Sequence, residues 1–249
     1  HNAWIDVWLQ LGIVGVLDFA NVLYNGMASV DFGMRYGPES KDELDAFTNY
    51  VYETVSHYKD HIHIYELWNE PNLRTFWRPE PNVHDYVQLV KAASAAIRAA
   101  HPEAIILAGS VANQQGVEFL DAMLAGGVYP YIDAISFHPY IFPDSPDLRY
   151  VSRLQSYTTT IRPYGGWKDM YVTETGWPTP LDFRGVTEEE QAEYTIKHYM
   201  MSADEGLVMS AIYDFRNDGT DEYYHEHNYG IVHYDYRAKP ALIAMQQFN

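Results

Sequence analysis

The chain has 249 residues with 47% hydrophobic content, enough for a sizeable core, and no Cys, which removes disulfides, Cys-based zinc sites and thiol catalysis together. Its 34 Asp plus Glu against 16 Lys plus Arg leave a formal net charge of -18, which repels phosphate backbones and anionic membranes, so neither nucleic acid nor a membrane is expected as a partner. No apolar run approaches the roughly 20 residues needed to cross a bilayer, and 22 Tyr, 10 Phe and 6 Trp supply rings that fill cores or stack on sugars.

In chain order, His1–Leu11 reads as the tail of a helix that leads into a first strand, Gly12–Phe19. Helix patterns near Asp42–His57, Val83–Ala100, Gly116–Ala125, Leu148–Arg162 and Glu188–Asp204 then alternate with strands at Ile62–Asn69, Ala104–Ala108, Ala134–His138, Met170–Thr173 and Ser210–Phe215. The strands are almost continuously apolar, which suits parallel strands covered on both faces. Thr187 followed three positions later by Glu190 is a capping-box start, and Pro102 is placed to end the helix before it.

This alternation allows a doubly wound open sheet or a (β/α)8 TIM barrel. No G-x-G-x-x-G follows the first strand and no G-x-x-x-x-G-K-[ST] occurs, so the phosphate-cradling loops of open-sheet enzymes are absent. Polar residues gather instead at the C-terminal ends of strands: Asp18 and Asn21, Asn69 and Glu70, Ser110, His138 and Tyr140, Glu174, Arg216 and Asp218. A barrel carries its site there. The expectation is therefore an α/β fold of TIM-barrel type, a single catalytic domain over residues 1–249. About six of eight β/α units are visible, and the first strands are expected to be missing from this sequence. Self-association that completes the barrel is one way to close such a gap.

The strongest local signal is YELWNEPN at Tyr65–Asn72. A strand runs into an Asn-Glu pair and stops at Pro71, which is expected to hold Glu70 extended rather than helical. YVTETGW at Tyr171–Trp177 places Glu174 at another strand end. Two such carboxyl groups suit glycoside hydrolysis, in which one protonates the leaving oxygen and the other, ionised, attacks the anomeric carbon. An apolar wall raises the pKa of the acid, and hydrogen bonds keep the nucleophile charged. Trp68 is the candidate wall for Glu70, and Tyr140 or His138 the candidate donor to Glu174. Glu66 reads as an internal hydrogen-bonding group of the barrel.

At these residues the chain resembles the retaining glycoside hydrolases of clan A, most closely family 39 and related bacterial exopolysaccharide glycosidases. WNEPN resembles the acid/base segment of the fourth strand, which implies Glu70 as acid/base and Asn69 as ligand of the sugar 2-hydroxyl. TETGW resembles the seventh-strand segment, which implies Glu174 as nucleophile. SFHPY at Ser136–Tyr140 resembles the sixth strand, whose His138 and Tyr140 line the site. YDFRNDG at Tyr213–Gly219, followed by NYGIVHYDYRAKPA, looks like the eighth strand and its closing helix. Trp68 and Trp177 are the favoured sugar platforms, and Asp18, Asn21, Tyr24 and Arg216 the further rim contacts. The implied activity is retaining cleavage of β-glycosidic bonds in an oligo- or polysaccharide without a cofactor. A polymer substrate would place the enzyme outside the cytoplasm, secreted or periplasmic.

Two other readings stay open. One is a carbohydrate-binding or vestigial barrel without turnover. The other is a metal-dependent barrel hydrolase, suggested by the H-x-H of His61 and His63 and by YYHEH at Tyr223–His227. His63 lies seven residues before Glu70, roughly 20 Å along an extended strand, so it belongs to the opposite end. His225, Glu226 and His227 are adjacent loop residues with no remote partner in the sequence pattern, so no metal is expected.

Overall fold

The structure, a computed structural model, describes residues 12–20 and 35–248. The expected helix at His1–Leu11 and the candidate contacts Asn21 and Tyr24 lie outside the described residues. Among the described residues there are six strands: β1 (Val14–Leu17), β2 (Ile64–Leu67), β3 (Ile105–Ala112), β4 (Ala134–His138), β5 (Asp169–Thr175) and β6 (Met209–Ile212). The helices are α1 (Lys41–Tyr58), α2 (Val83–Ala100), α3 (Gln115–Ala125), α4 (Pro146–Ile161), α5 (Glu188–Asp204) and α6 (Pro240–Phe248). Sheet order follows chain order, β1 to β6, so this is an α/β fold of barrel type with six strands among the described residues. No helix among the described residues is long and apolar enough to cross a membrane.

Packing divides the chain into two compact units. The first holds the described residues up to Ser136 together with Thr160–Asp169. Here β1 pairs in parallel with β2, bringing Val16 opposite Glu66, and β2 pairs in parallel with β3. After Ile105 every residue of β3 is buried, as expected for a strand covered on both faces. Helix α1 starts at a capping box in which Ser40 and Glu43 satisfy each other's backbone N–H groups, and it buries Phe47, Val51 and Val55 at four-residue spacing. Asn82 caps α2 by accepting from the N–H groups of His84 and Asp85. β3 continues four residues past the expected Ala108 because Gly109 takes a φ of +119°, and a Cβ there would lie 2.6 Å from the Ser136 carbonyl oxygen.

The second unit holds Phe137–Thr159 and Met170–Asn249. Tyr150, Leu154 and Tyr157 form the buried stripe of α4, and β5 pairs in parallel with β6. The capping box read at Thr187 and Glu190 opens α5. On α5 the imidazole of His198 is wholly buried. Burial pushes its pKa down to about 3, so it is a neutral ring paired with the Ser210 hydroxyl, not a charge. Gln191 donates its side-chain N–H to the carbonyls of Trp177 at 2.9 Å and Tyr229 at 3.0 Å, tying the segment after β5 to the loop that follows β6.

Candidate active site

In the first unit, the end of β2 is bent. The strand closes at Leu67, and Trp68 and Glu70 then take φ values of +68° and +46°. Glu70 is therefore left-handed and not extended, which corrects the expectation drawn from Pro71. The Glu70 N–H donates to the Ser110 carbonyl at 3.1 Å while its own carbonyl accepts from the Leu73 N–H at 2.9 Å, so the chain turns at this residue. Left-handed backbone at a non-glycine costs on the order of 1–3 kcal/mol and persists where the surroundings over-determine it, often at functional positions. Asn72 supplies part of that determination. Its amide donates to the Ala112 carbonyl at 2.8 Å and accepts from the Ala112 N–H at 2.9 Å, locking the WNEPN turn to β3. Glu70 is buried at 7% exposure and Asn69 beside it is half-buried.

Trp68 offers no open platform. Its ring is wholly buried among Phe19, Phe47 and Trp77, and its indole N–H donates to the Phe76 carbonyl at 2.9 Å. Asp18, at the end of β1, is half-buried. Desolvation first, and then the charge of Glu66, push its carboxyl up to about 6. Glu66 is buried at 1% exposure, in keeping with an internal group.

In the second unit, Glu174 leaves β5 half-buried. The Tyr140 hydroxyl donates to Glu174 Oε1 at 2.5 Å, and His138 Nδ1 lies 3.8 Å from Glu174 Oε2. The other ring nitrogen of His138 pairs with the Thr173 hydroxyl at 3.2 Å, which fixes the ring plane. Of the two expected donors, Tyr140 makes the hydrogen bond, while His138 stands beside the carboxylate at 3.8 Å, beyond hydrogen-bond distance. Gly176, two residues on, allows the Tyr213 carbonyl to approach, since a Cβ there would sit 2.1 Å from that oxygen.

The sequence reading missed the aromatic wall behind Tyr140. Tyr229 lies edge-on to Tyr140, Phe142 and Tyr213, with ring centroids 6.0, 5.7 and 5.1 Å away. Burial, and then nearby carboxylates that include Glu174, push the phenols of Tyr213 and Tyr229 well above their ordinary range, so both stay protonated. Tyr213 was legible in the YDFRNDG segment. Tyr229 lies in the NYGIVHYDYRAKPA segment that follows it, but neither ring was assigned to the site, because only chain folding brings residue 229 against residue 140.

Trp177 is 1% exposed, with its indole N–H donating to the Asp144 carbonyl at 2.9 Å and its ring against Tyr194 and His198. A ring without an open face offers a sugar nothing to stack on. Trp68 and Trp177 are packing residues, contrary to the platform expectation. Arg216 stacks its guanidinium over Tyr234 at 4.9 Å and Tyr236 at 4.7 Å. Of the alternative metal residues, His63 pairs with His101 at 3.0 Å, His225 with Glu226 at 3.0 Å, and His227 accepts from the Asp221 N–H at 3.3 Å.

The family model for cellulase, glycosyl hydrolase family 5, matches residues 2–202. No curated protein matches the chain. Among solved structures, a family 39 glycoside hydrolase from the gut symbiont Bacteroides cellulosilyticus WH2 superposes with a TM-score of 0.75 at 23% identity over 96% of this chain and 50% of its own. A monomeric β-xylosidase from Caulobacter crescentus CB15 gives 0.65 at 18% identity over 86% and 48%, and a psychrophilic family 10 endo-β-1,4-xylanase gives 0.58 at 16% over 84% and 69%. The chain spans about half the length of the first two. Strand order, strand-end carboxyl groups and the match over residues 2–202 agree: the chain belongs to the cellulase family, glycosyl hydrolase family 5, within clan A of the glycoside hydrolases.

Proposed function

We propose that this chain is a retaining glycosidase that cleaves β-linked oligo- or polysaccharides through Glu70 and Glu174. The observation that carries the reading is the held carboxylate of Glu174. A phenolic O–H at 2.5 Å favours the ionised form and aims one oxygen, leaving the other to act as nucleophile. Glu174 attacks the anomeric carbon as Glu70 protonates the departing glycosidic oxygen, and a glycosyl ester forms. Glu70, now a carboxylate, takes a proton from water, which attacks the same carbon and releases the sugar with its configuration retained. Asn69 holds the 2-hydroxyl, where contacts strengthen as the oxocarbenium character develops. His138, fixed through Thr173, orients Glu174 and needs no proton transfer of its own.

The test is hydrolysis of aryl β-glycosides, β-glucans and xylan by this chain, with the anomer formed first followed by proton NMR. Xylan belongs in the panel because two of the structural neighbours are a β-xylosidase and an endo-β-1,4-xylanase. Retained configuration is expected, with activity lost in Glu70→Gln and Glu174→Ala. An inverted product would overturn the nucleophile role. A folded chain that binds these glycans and hydrolyses none would favour the carbohydrate-binding alternative.

A further inference from the structure

The second unit contains a cavity of about 350 Å³ that shares none of its lining with Glu174, Tyr140 or His138. Its volume falls in the range of small-molecule pockets, roughly 300–1,000 Å³. The floor is a buried lysine. Lys239 has no exposed surface, and its ammonium donates to Thr179 Oγ1 at 3.0 Å, Asn217 Oδ1 at 3.0 Å and the Asn228 carbonyl at 3.3 Å. Three acceptors use all three of its protons. Lys239 is therefore scaffold: it pins the loop after β6 to the segment after β5, and the cavity is built before any ligand arrives.

Above this floor the lining is of a different kind. Tyr234 contributes a ring that is 47% exposed and braced by the Arg216 guanidinium at 4.9 Å. Glu188 and Asp235 line it as ion pairs, with His233 Nε2 at 3.3 Å and Arg237 Nε at 3.8 Å, and Glu222 adds a third acidic side chain. A rigid exposed ring matches the C–H face of a pyranose, and carboxylates that accept two hydrogen bonds match neighbouring hydroxyls. A uronate or a phosphorylated sugar would meet the Glu222 side chain and basic groups, His233, Arg237 and Lys239, whose donors are already engaged within the cavity wall. A free cation would meet Arg237 and, in the floor, Lys239.

The geometry points to a second carbohydrate subsite that takes a neutral sugar unit of an extended substrate, away from the bond being cut. The assignment rests on the glycosidase reading for its purpose, but not for its chemistry. Thr179 lies five residues beyond Glu174, and Asn228 in the cavity precedes Tyr229 in the aromatic wall. A glycan bound here is thus registered against the same two segments that carry the nucleophile and its wall.

The experiment compares wild type with Tyr234→Ala and Glu222→Gln on two substrates, a neutral β-linked hexasaccharide and an aryl monoglycoside, with calorimetric titration of the hexasaccharide alongside. The ratio of kcat/KM for the hexasaccharide to that for the monoglycoside should fall by roughly tenfold in each variant, with hexasaccharide affinity weakened to match. An unchanged ratio, including an equal loss on both substrates, overturns the subsite and leaves the glycosidase reading standing. If wild type hydrolyses nothing, that reading has failed, and titration decides the cavity by itself. Weaker binding by both variants supports it, whereas no binding, or equal affinity in all three proteins, refutes it.

Discussion

Tyr140 and Glu174 form the most informative pair of side chains. The Tyr140 hydroxyl aims one carboxylate oxygen, so Tyr140→Phe should reduce kcat by roughly 10- to 100-fold with KM little changed. An unchanged kcat would mean that the hydroxyl only packs. Trp177 makes the opposite case. Its burial predicts that Trp177→Ala costs about 3–5 kcal/mol in chemical denaturation, as a cavity in a core does. A variant of undiminished stability and raised KM would restore the platform role. Asp18 gives a signed pH effect. Its carboxyl rises from 3.8 unfolded to about 6 folded, so between those values the native chain binds more protons and loses stability as pH rises. Asp18→Asn should remove that loss and leave the protein more stable than wild type at pH 7 by on the order of 2 kcal/mol, the difference fading toward pH 4.

Elements were legible where their signals are local. Thr187 and Glu190 lie three residues apart and do what that spacing predicts, and α2 and α5 keep the bounds read from their pattern. Thr187→Ala should cost about 1 kcal/mol, measured as a lower denaturation midpoint. Strand ends were read less well, and for a physical reason. A proline after Glu70 speaks against helix, but the choice between extended and left-handed backbone is made by the Ser110 carbonyl and by Asn72 bonding to Ala112, contacts 40 residues apart in sequence. The pattern ended β3 at Ala108, one residue before Gly109. Gly109 is strand interior, where the neighbouring Ser136 carbonyl comes too close for any side chain.

At the scale of the molecule, the charge of -18 has a direct consequence. Self-repulsion is greatest when salt is low, so the thermal midpoint should rise between about 10 mM and about 0.15 M salt, as the screening length falls from about 30 to about 8 Å. A midpoint indifferent to salt would show that these charges are already locally balanced. Sequence by itself determined the fold class and the alternation of strands and helices, and singled out the two glutamates as candidates, because hydrophobic period and strand-end motifs are written in consecutive residues. Tertiary structure alone decided which aromatics are packing and which are open: Trp68 and Trp177 vanish into cores while Tyr229 backs Tyr140 and Tyr234 stands clear. The same holds for Lys239, whose neighbours Thr179, Asn217 and Asn228 are remote in the chain. Burial and partnership are properties of what surrounds a side chain, and residues far apart in sequence supply those surroundings.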